Sequence, residues 1–313
     1  MSRAPRHKSV FVAGELNVDL ILHGAHAFPK PGKEVLVDDV VLTLGSASAI
    51  CAMGLSQLGN PVTFMGKVGA DSWGEYCVET LVDAGIDALP VIRDPLLRTG
   101  VTVSITSPRD RALVSYLGAI GALTADEIAD DEFRHFPHLH VSSYFLQEGL
   151  RPGLRGLFTR AHGFGLTTSL DPGFDPSERW GRDVVDTLAE VDVFLPNEVE
   201  LKAIAGVDDV QEALRRLDNG RTRIVAKLGA RGCMTLEEGR VLAIPAFPTE
   251  PVDTTGAGDS FDAGFLHAWL EGKPLRDCLR WGAACGSLST RGLGGTSRQA
   301  SREEVEQLIA SAS

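Results

Sequence analysis

Short, nearly continuous apolar runs recur along the chain with amphipathic runs between them, and this alternation restricts the fold more than any other feature. Candidate strands cover residues 10–13, 62–68, 139–143, 167–170, 193–195, 224–227, 233–236 and 241–244. Strands apolar on both faces belong to a sheet covered on both sides. Trp73, Tyr76, Cys77, Thr80, Leu81 and Ala84 recur at helical spacing, with Gly85 as the stop. Further helices are expected over residues 45–59, 258–271 and 275–290, the second of these with Phe261, Phe265, Ala268 and Trp269 on its inner face. Strand and helix in alternation predict an α/β fold, a doubly wound, mostly parallel sheet flanked by helices.

Two stretches break the rhythm. Residues 20–43 hold strand-like segments around a Pro/Gly turn, and residues 99–117 read as a hairpin closed by residues 107–110. Neither has helical periodicity, so both are expected in a small sheet standing off the main one. Without a linker or internal repeat, residues 1–313 read as one domain with lid segments at about 20–43 and 99–117 inserted in it.

Composition excludes several classes. At 43% hydrophobic residues the chain can bury a large core. A net charge of −12 without a basic stripe argues against nucleic acid. No apolar run reaches the ~18 residues that span a bilayer, and the apolar run near the start is too short for a signal peptide. The five cysteines are singly placed in apolar stretches and read as buried thiols of a cytoplasmic protein.

The chemistry concentrates in residues 253–259, which read Asp, Thr, Thr, Gly, Ala, Gly, Asp, ahead of a helix. Gly256 and Gly258 permit close backbone approach, and the helix start offers N–H groups and the positive dipole end to an anion. A carboxylate beside such a site, Asp259, has a natural task in taking the proton of an attacking hydroxyl. On its own it also serves simply to favour the helix dipole. Asp262 reads as a solvated or dipole-favouring carboxylate.

The whole string resembles the C-terminal signature of the ribokinase-like (PfkB) carbohydrate kinases. That resemblance implies an ATP-dependent kinase acting on a small sugar, with Asp259 as base and Gly256, Ala257 and Gly258 as the anion hole. It extends along the chain. Residues 14–19 (GELNVD) resemble the first strand and loop, implying sugar-hydroxyl contacts from Asp19 and Asn17. Residues 28–34 resemble the lid turn, and residues 66–74 the N-terminal signature, where Asp71 reads as a helix cap. Asp171 and Pro172 after a strand are also familial. Asn197 and Glu200 match an N-x-x-E motif implying magnesium, held through water, although the residues alone read as an acidic helix start. Lys227, Gly229, Gly232 and Thr254 are implied at the nucleotide, Lys227 either facing phosphate or capping its strand, and residues 292–295 beside the adenine. Asp253 and Thr255 are implied near a monovalent cation such as K+.

The sequence departs from the family at Leu44 and Ala49, where a glycine and an asparagine are usual; Gly45 and Ser46 remain to contact the sugar. The acceptor therefore stays open. A nucleoside kinase of the same fold, or a catalytically inactive sugar-binding relative, fits the same residues. No Walker A pattern and no dinucleotide fingerprint occur. His135, His138 and His140 lack the partners of a zinc site. The exposed lid sheet is expected to bury itself in a homodimer.

Overall fold

The computed structural model describes residues 8–106 and 111–312. Strand β1 (Val10–Ala13) leads into β2 (Asn17–His23), β3 (Asp39–Leu44) and helix α1 (Ala47–Gln57). There follow β4 (Val62–Met65), β5 (Lys67–Gly69), α2 (Ser72–Asp83), β6 (Ile92–Asp94), β7 (Gly100–Thr106) and β8 (Arg111–Tyr116). The middle holds α3 (Asp130–Phe133), β9 (His138–Val141), α4 (Leu154–Gly163), β10 (Thr167–Leu170), α5 (Asp183–Thr187) and β11 (Val193–Phe194). Then come α6 (Glu198–Ala205), α7 (Val210–Leu217), β12 (Arg223–Lys227), β13 (Cys233–Glu237) and β14 (Arg240–Ile244). The last helices are α8 (Ala257–Leu270), α9 (Leu275–Ser289) and α10 (Arg302–Ser311).

Eight strands form the main sheet in the order β14-β13-β12-β11-β10-β9-β1-β4. From β4 to β12 every pair is parallel, and β13 and β14 close the edge antiparallel. Separate apolar clusters cover its two faces. One is built around α1, α2, α8 and α9, the other around α4, α6 and α7. This is the doubly wound arrangement that the apolar strands predict, and α8 is buried along almost its whole length, Phe261 and Phe265 included.

The lid is a second sheet, ordered β3-β2-β7-β8. β2 pairs antiparallel with β3 and parallel with β7, and β7 pairs antiparallel with β8. The turn expected at residues 107–110 lies outside the described residues. Only residues 14–16 separate β2 from β1, so the lid springs directly from the carboxyl end of the strand beside the β4 edge.

Two expectations need correction. Residues 62–68 are two strands, broken at Gly66, where a Cβ would stand 2.7 Å from the Gly14 carbonyl oxygen. Trp73, which shares its helical spacing with Cys77 and Leu81, is 43% exposed, whereas Cys77 and Leu81 are fully buried. Asp71 does cap α2, accepting the Gly74 N–H at 2.9 Å. All five cysteines are buried and free. Among the described residues no helix is long and apolar enough to cross a membrane.

Candidate active site

Chain crossings in a parallel sheet leave polar residues at the carboxyl ends of the strands, and ligand sites of α/β folds gather there. Here Glu15 follows β1, Ser142 and Ser143 follow β9, Asp171 follows β10, Asn197 lies past β11, and Lys227 ends β12. The first turn of α8 faces this edge. Gly256 caps the helix at φ 73°, and a Cβ there would fall 2.6 Å from the Gly295 Cα, so glycine is required. The turn before it is closed by the Ala257 N–H donating to the Thr254 carbonyl at 3.2 Å, with Thr254 itself exposed. Asp253 accepts from the Thr255 N–H (2.9 Å) and hydroxyl (2.8 Å) through one oxygen, and from the Gly294 N–H (2.9 Å) through the other. The two loops expected around the nucleotide are thus joined by one carboxylate.

Beneath α8 lies a buried charge cluster. The Lys227 ammonium donates to Asp171 at 2.6 Å and to both oxygens of Asp262 at 3.0 Å. Asp262 is therefore not the solvated carboxylate its sequence context suggests; it is fully buried. Its spacing puts it one turn after Asp259 on the side of α8 that meets β12. Lys227, at the end of β12, is held by these two carboxylates, and a Cβ on Gly258 would stand 3.5 Å from its ammonium. Burial alone would raise the Asp171 carboxyl, but the Lys227 ammonium holds it below its usual range. Asp262, by burial above all, is pushed well up. Burial works against the Lys227 charge, and the carboxylates around it, Asp171 first, overcome that and keep it firmly protonated. Oxygens of Asp171, Asp259 and Asp262 lie within 4.8 Å of one another, the kind of spacing a metal ion can use. Lys227 already supplies a cation to two of the three.

Asp259 stands in the first turn of α8. Burial, with the Asp171 carboxylate next and Glu15 and Asp19 adding to it, pushes its pKa up to about 7; Lys227 pulls the other way. A carboxyl at that value exchanges protons near neutral pH.

Asn197 caps α6 in a reciprocal box with Glu200. The Asn197 N–H and amide donate to the two Glu200 oxygens at 2.8 and 2.6 Å, and the Glu200 N–H donates to Asn197 Oδ1 at 3.0 Å. The acidic helix start read from the residues is what forms. Burial, followed by Asp171, raises Glu200 to about 8.

At the lid, Asp19 and Asn17 sit together on β2, the Asn17 amide donating to Asp19 Oδ1 at 2.8 Å. Burial raises Asp19 to about 6, against that hydrogen bond. A Cβ on Gly45 would come within 2.1 Å of Asp19 Oδ1, so the glycine makes room for the carboxylate. Ser46 caps α1, accepting the Ala49 N–H at 3.1 Å, while its hydroxyl donates to the Glu15 carbonyl. Glu15, buried at 3% exposure, accepts from the Ser143 hydroxyl (2.8 Å) and the Ser48 hydroxyl and N–H. Sequence reasoning passed over Glu15; its signal was a charged residue at the end of an otherwise apolar strand.

On the nucleotide side Gly229 and Gly232 both have positive φ, and a Cβ on Gly232 would lie 2.0 Å from the Ile244 carbonyl. His138 and His140 are buried in a hydrogen-bonded run, Thr167–His138–Ser169–His140–Ser142, every link 2.7–2.8 Å. Burial first of all lowers them to about 3 and 4. Both rings are neutral and use both nitrogens on hydroxyls.

Residues 7–301 match the family model described as pfkB family carbohydrate kinase. An uncharacterized sugar kinase of Archaeoglobus fulgidus is 32% identical over 230 residues, spanning 74% of this chain and 91% of its own length. An ATP-dependent ribose-1-phosphate kinase of Halopiger xanaduensis is 31% identical, covering 90% and 91% of the two chains. The solved structure of Arabidopsis thaliana ribokinase, complexed with ribose and ATP, superposes with a TM-score of 0.83 at 24% identity over 96% of this chain and 98% of that one.

Proposed function

The chain belongs to the pfkB family of carbohydrate kinases, and from that premise we propose that it transfers the γ-phosphate of ATP to a hydroxyl of a small sugar, with Asp259 as the general base. The observation that carries the assignment is the position of Asp259: first turn of α8, directly after the glycines, with a pKa near 7. A base is most effective when its pKa lies close to the working pH. ATP as donor agrees with the relative named ATP-dependent and with the ATP-bound ribokinase of the same fold.

In this reading Asp19 and Asn17 hold sugar hydroxyls, Gly45 leaving space for them, while Ser46 and Glu15 fix the backbone beneath. Asp259 accepts the proton of the attacking hydroxyl. The backbone of Gly256, Ala257 and Gly258 faces the charge that spreads over the transferring group. Gly229, Gly232 and Thr254 border the nucleotide. Magnesium, when bound, would neutralise phosphate charge. The side-chain oxygens of Asn197 and Glu200 suit such an ion; both Glu200 oxygens already accept from Asn197, which favours a hold through water. A monovalent cation beside Asp253 and Thr255 belongs to the same proposal and is tested by activity in K+ against Na+.

The outer lid face supports a homodimer. Val40, Leu42, Val114 and Tyr116 share that face and are exposed. Leu42→Arg with Val114→Arg should convert a sedimenting dimer to monomer.

The function is tested by ADP release from Mg-ATP over a panel of free sugars. A sugar-dependent rate that falls by about 10²–10⁴-fold in Asp259→Asn is expected. Near-normal sugar-dependent turnover in that variant would remove Asp259 from the mechanism.

A further inference from the structure

The inner face of the lid carries a polar row that crosses all four strands. Register places Thr43 opposite Asp19, Asp19 opposite Thr102, and Thr102 opposite Ser115. The members are linked. The Asn17 amide, which bonds Asp19, also reaches the Thr102 hydroxyl at 3.5 Å, and the Thr102 and Ser115 hydroxyls are 3.0 Å apart. Thr43 closes the other end on Thr296, hydroxyl to hydroxyl at 2.9 Å. The next row on the same face, Val41, Ile21, Ser104 and Leu113, is mostly apolar. The row level with Asp19 is thus polar on every one of the four strands, at the end of the lid nearest the main sheet.

The charges around this row have one sign. Asp19 bonds to an amide, and Glu15 to two hydroxyls and an N–H. Glu15 and Asp19 both act on Asp259 and disfavour its ionisation. The cation nearest to Asp259, Lys227, is held by Asp171 and Asp262. Among the described residues no lysine or arginine forms an ion pair with Asp19, Glu15 or Asp259. A hydroxyl both donates and accepts, so threonine, serine and carboxylate satisfy a polyol well. A phosphate placed there meets carboxylates and acceptor oxygens without a compensating charge.

We propose that the acceptor is an uncharged polyol, a free sugar or the sugar of a nucleoside, seated on the row Thr43, Asp19, Thr102 and Ser115, and that acceptors already bearing a phosphate are rejected. The proposal rests on the kinase reading of the same site, and adds Thr43, Thr102 and Ser115 to the acceptor-binding residues. Specificity is set by what the row lacks as much as by what it offers.

The test uses matched pairs on the full chain: ribose with ribose 1-phosphate and ribose 5-phosphate, fructose with fructose 1-phosphate, adenosine with AMP. Binding is read by calorimetry without nucleotide, and phosphorylation with Mg-ATP in parallel. The free member of at least one pair should bind tighter than its phosphorylated partner by about 100-fold or more. Thr102→Val with Ser115→Ala should weaken that binding about tenfold and leave ATP affinity unchanged. Preference for a phosphorylated member in either assay overturns the proposal, as does the absence of binding by any free member. An equal loss for sugar and ATP in the double variant removes Thr102 and Ser115 from the acceptor site. Free sugar that binds as expected but is never phosphorylated leaves the proposal standing and defeats the kinase reading instead.

Discussion

The Lys227 ammonium lies 3.0 Å from each carboxylate oxygen of Asp262; Asp262 is fully buried and Lys227 nearly so. Removing one member of such a pair leaves a buried charge unanswered, which typically costs about 3–5 kcal/mol. Lys227→Met should destabilise the protein by that order in urea denaturation. Adding Asp262→Leu should recover part of the loss, with Asp171 still unpaired. Equal stability of the single and double variants would mean that the pair is not energetically linked.

Asp259→Asn preserves shape and stays tolerable near a helix start, but removes the base. Turnover should fall by about 10²–10⁴-fold. ATP affinity should hold or rise, because a negative charge beside the phosphates is gone. Both are measured on the same folded variant by coupled assay and calorimetry.

The pH dependence follows from the same group. With its pKa near 7, Asp259 gains its basic form as pH rises, so turnover should increase through that value. Lys227 favours the ionised form, so any active Lys227→Met protein should have its profile displaced to higher pH. Stability runs the other way. The folded-state pKa is raised above 3.8, so the stabilising contribution of Asp259 is complete below that pH and is lost as pH rises through about 7. Asp259→Asn should therefore melt above the parent at pH 8 and near it at pH 4. A constant difference across that range would contradict the raised pKa.

Glu200→Ala breaks the capping box on α6, at a cost of about 1 kcal/mol. If Glu200 also orders Asn197 for the metal, the magnesium concentration giving half-maximal rate should rise. A lowered melting temperature with unchanged magnesium dependence would leave Glu200 a structural cap only.

Asp19→Ala should weaken sugar binding far more than ATP binding, since Asp19 lies in the lid row and, among the described residues, Asn17 is its one hydrogen-bonded side-chain partner. Calorimetry with both ligands decides it.

The sheet was legible because strands buried on both faces leave continuous apolar runs, and α8 because its glycines and Asp259 announce a helix start. The lid was legible as two stretches without helical period, but the parallel pairing of β2 with β7 was not, because strand partners far apart in sequence leave no local trace. The cluster under α8 was hidden for the same reason. Asp171, Lys227 and Asp262 lie on three separate elements, and only their meeting gives a buried lysine two carboxylates. Glu15 and the Thr102–Ser115 contact were likewise invisible: one polar residue in an apolar run, or a hydroxyl on a strand, is ordinary until its neighbours are known. Asn197 and Glu200 were read correctly as a helix start from the residues alone, since a capping box is local.

The lid comes from residues 17–44 and 100–116, while Asp259 and its glycines stand at residues 256–259. In the proposed reading, the part that would choose the acceptor and the part that would move the phosphate are thus encoded on different stretches of chain and meet only after folding. Under the proposed reading, substitutions in the β3, β7 and β8 members of the inner row would retune which hydroxyl compound is accepted and spare Asp19, whose charge acts on the base. A library confined to positions 43, 102 and 115 is accordingly the shortest route to an enzyme with the same chemistry and a new clientele.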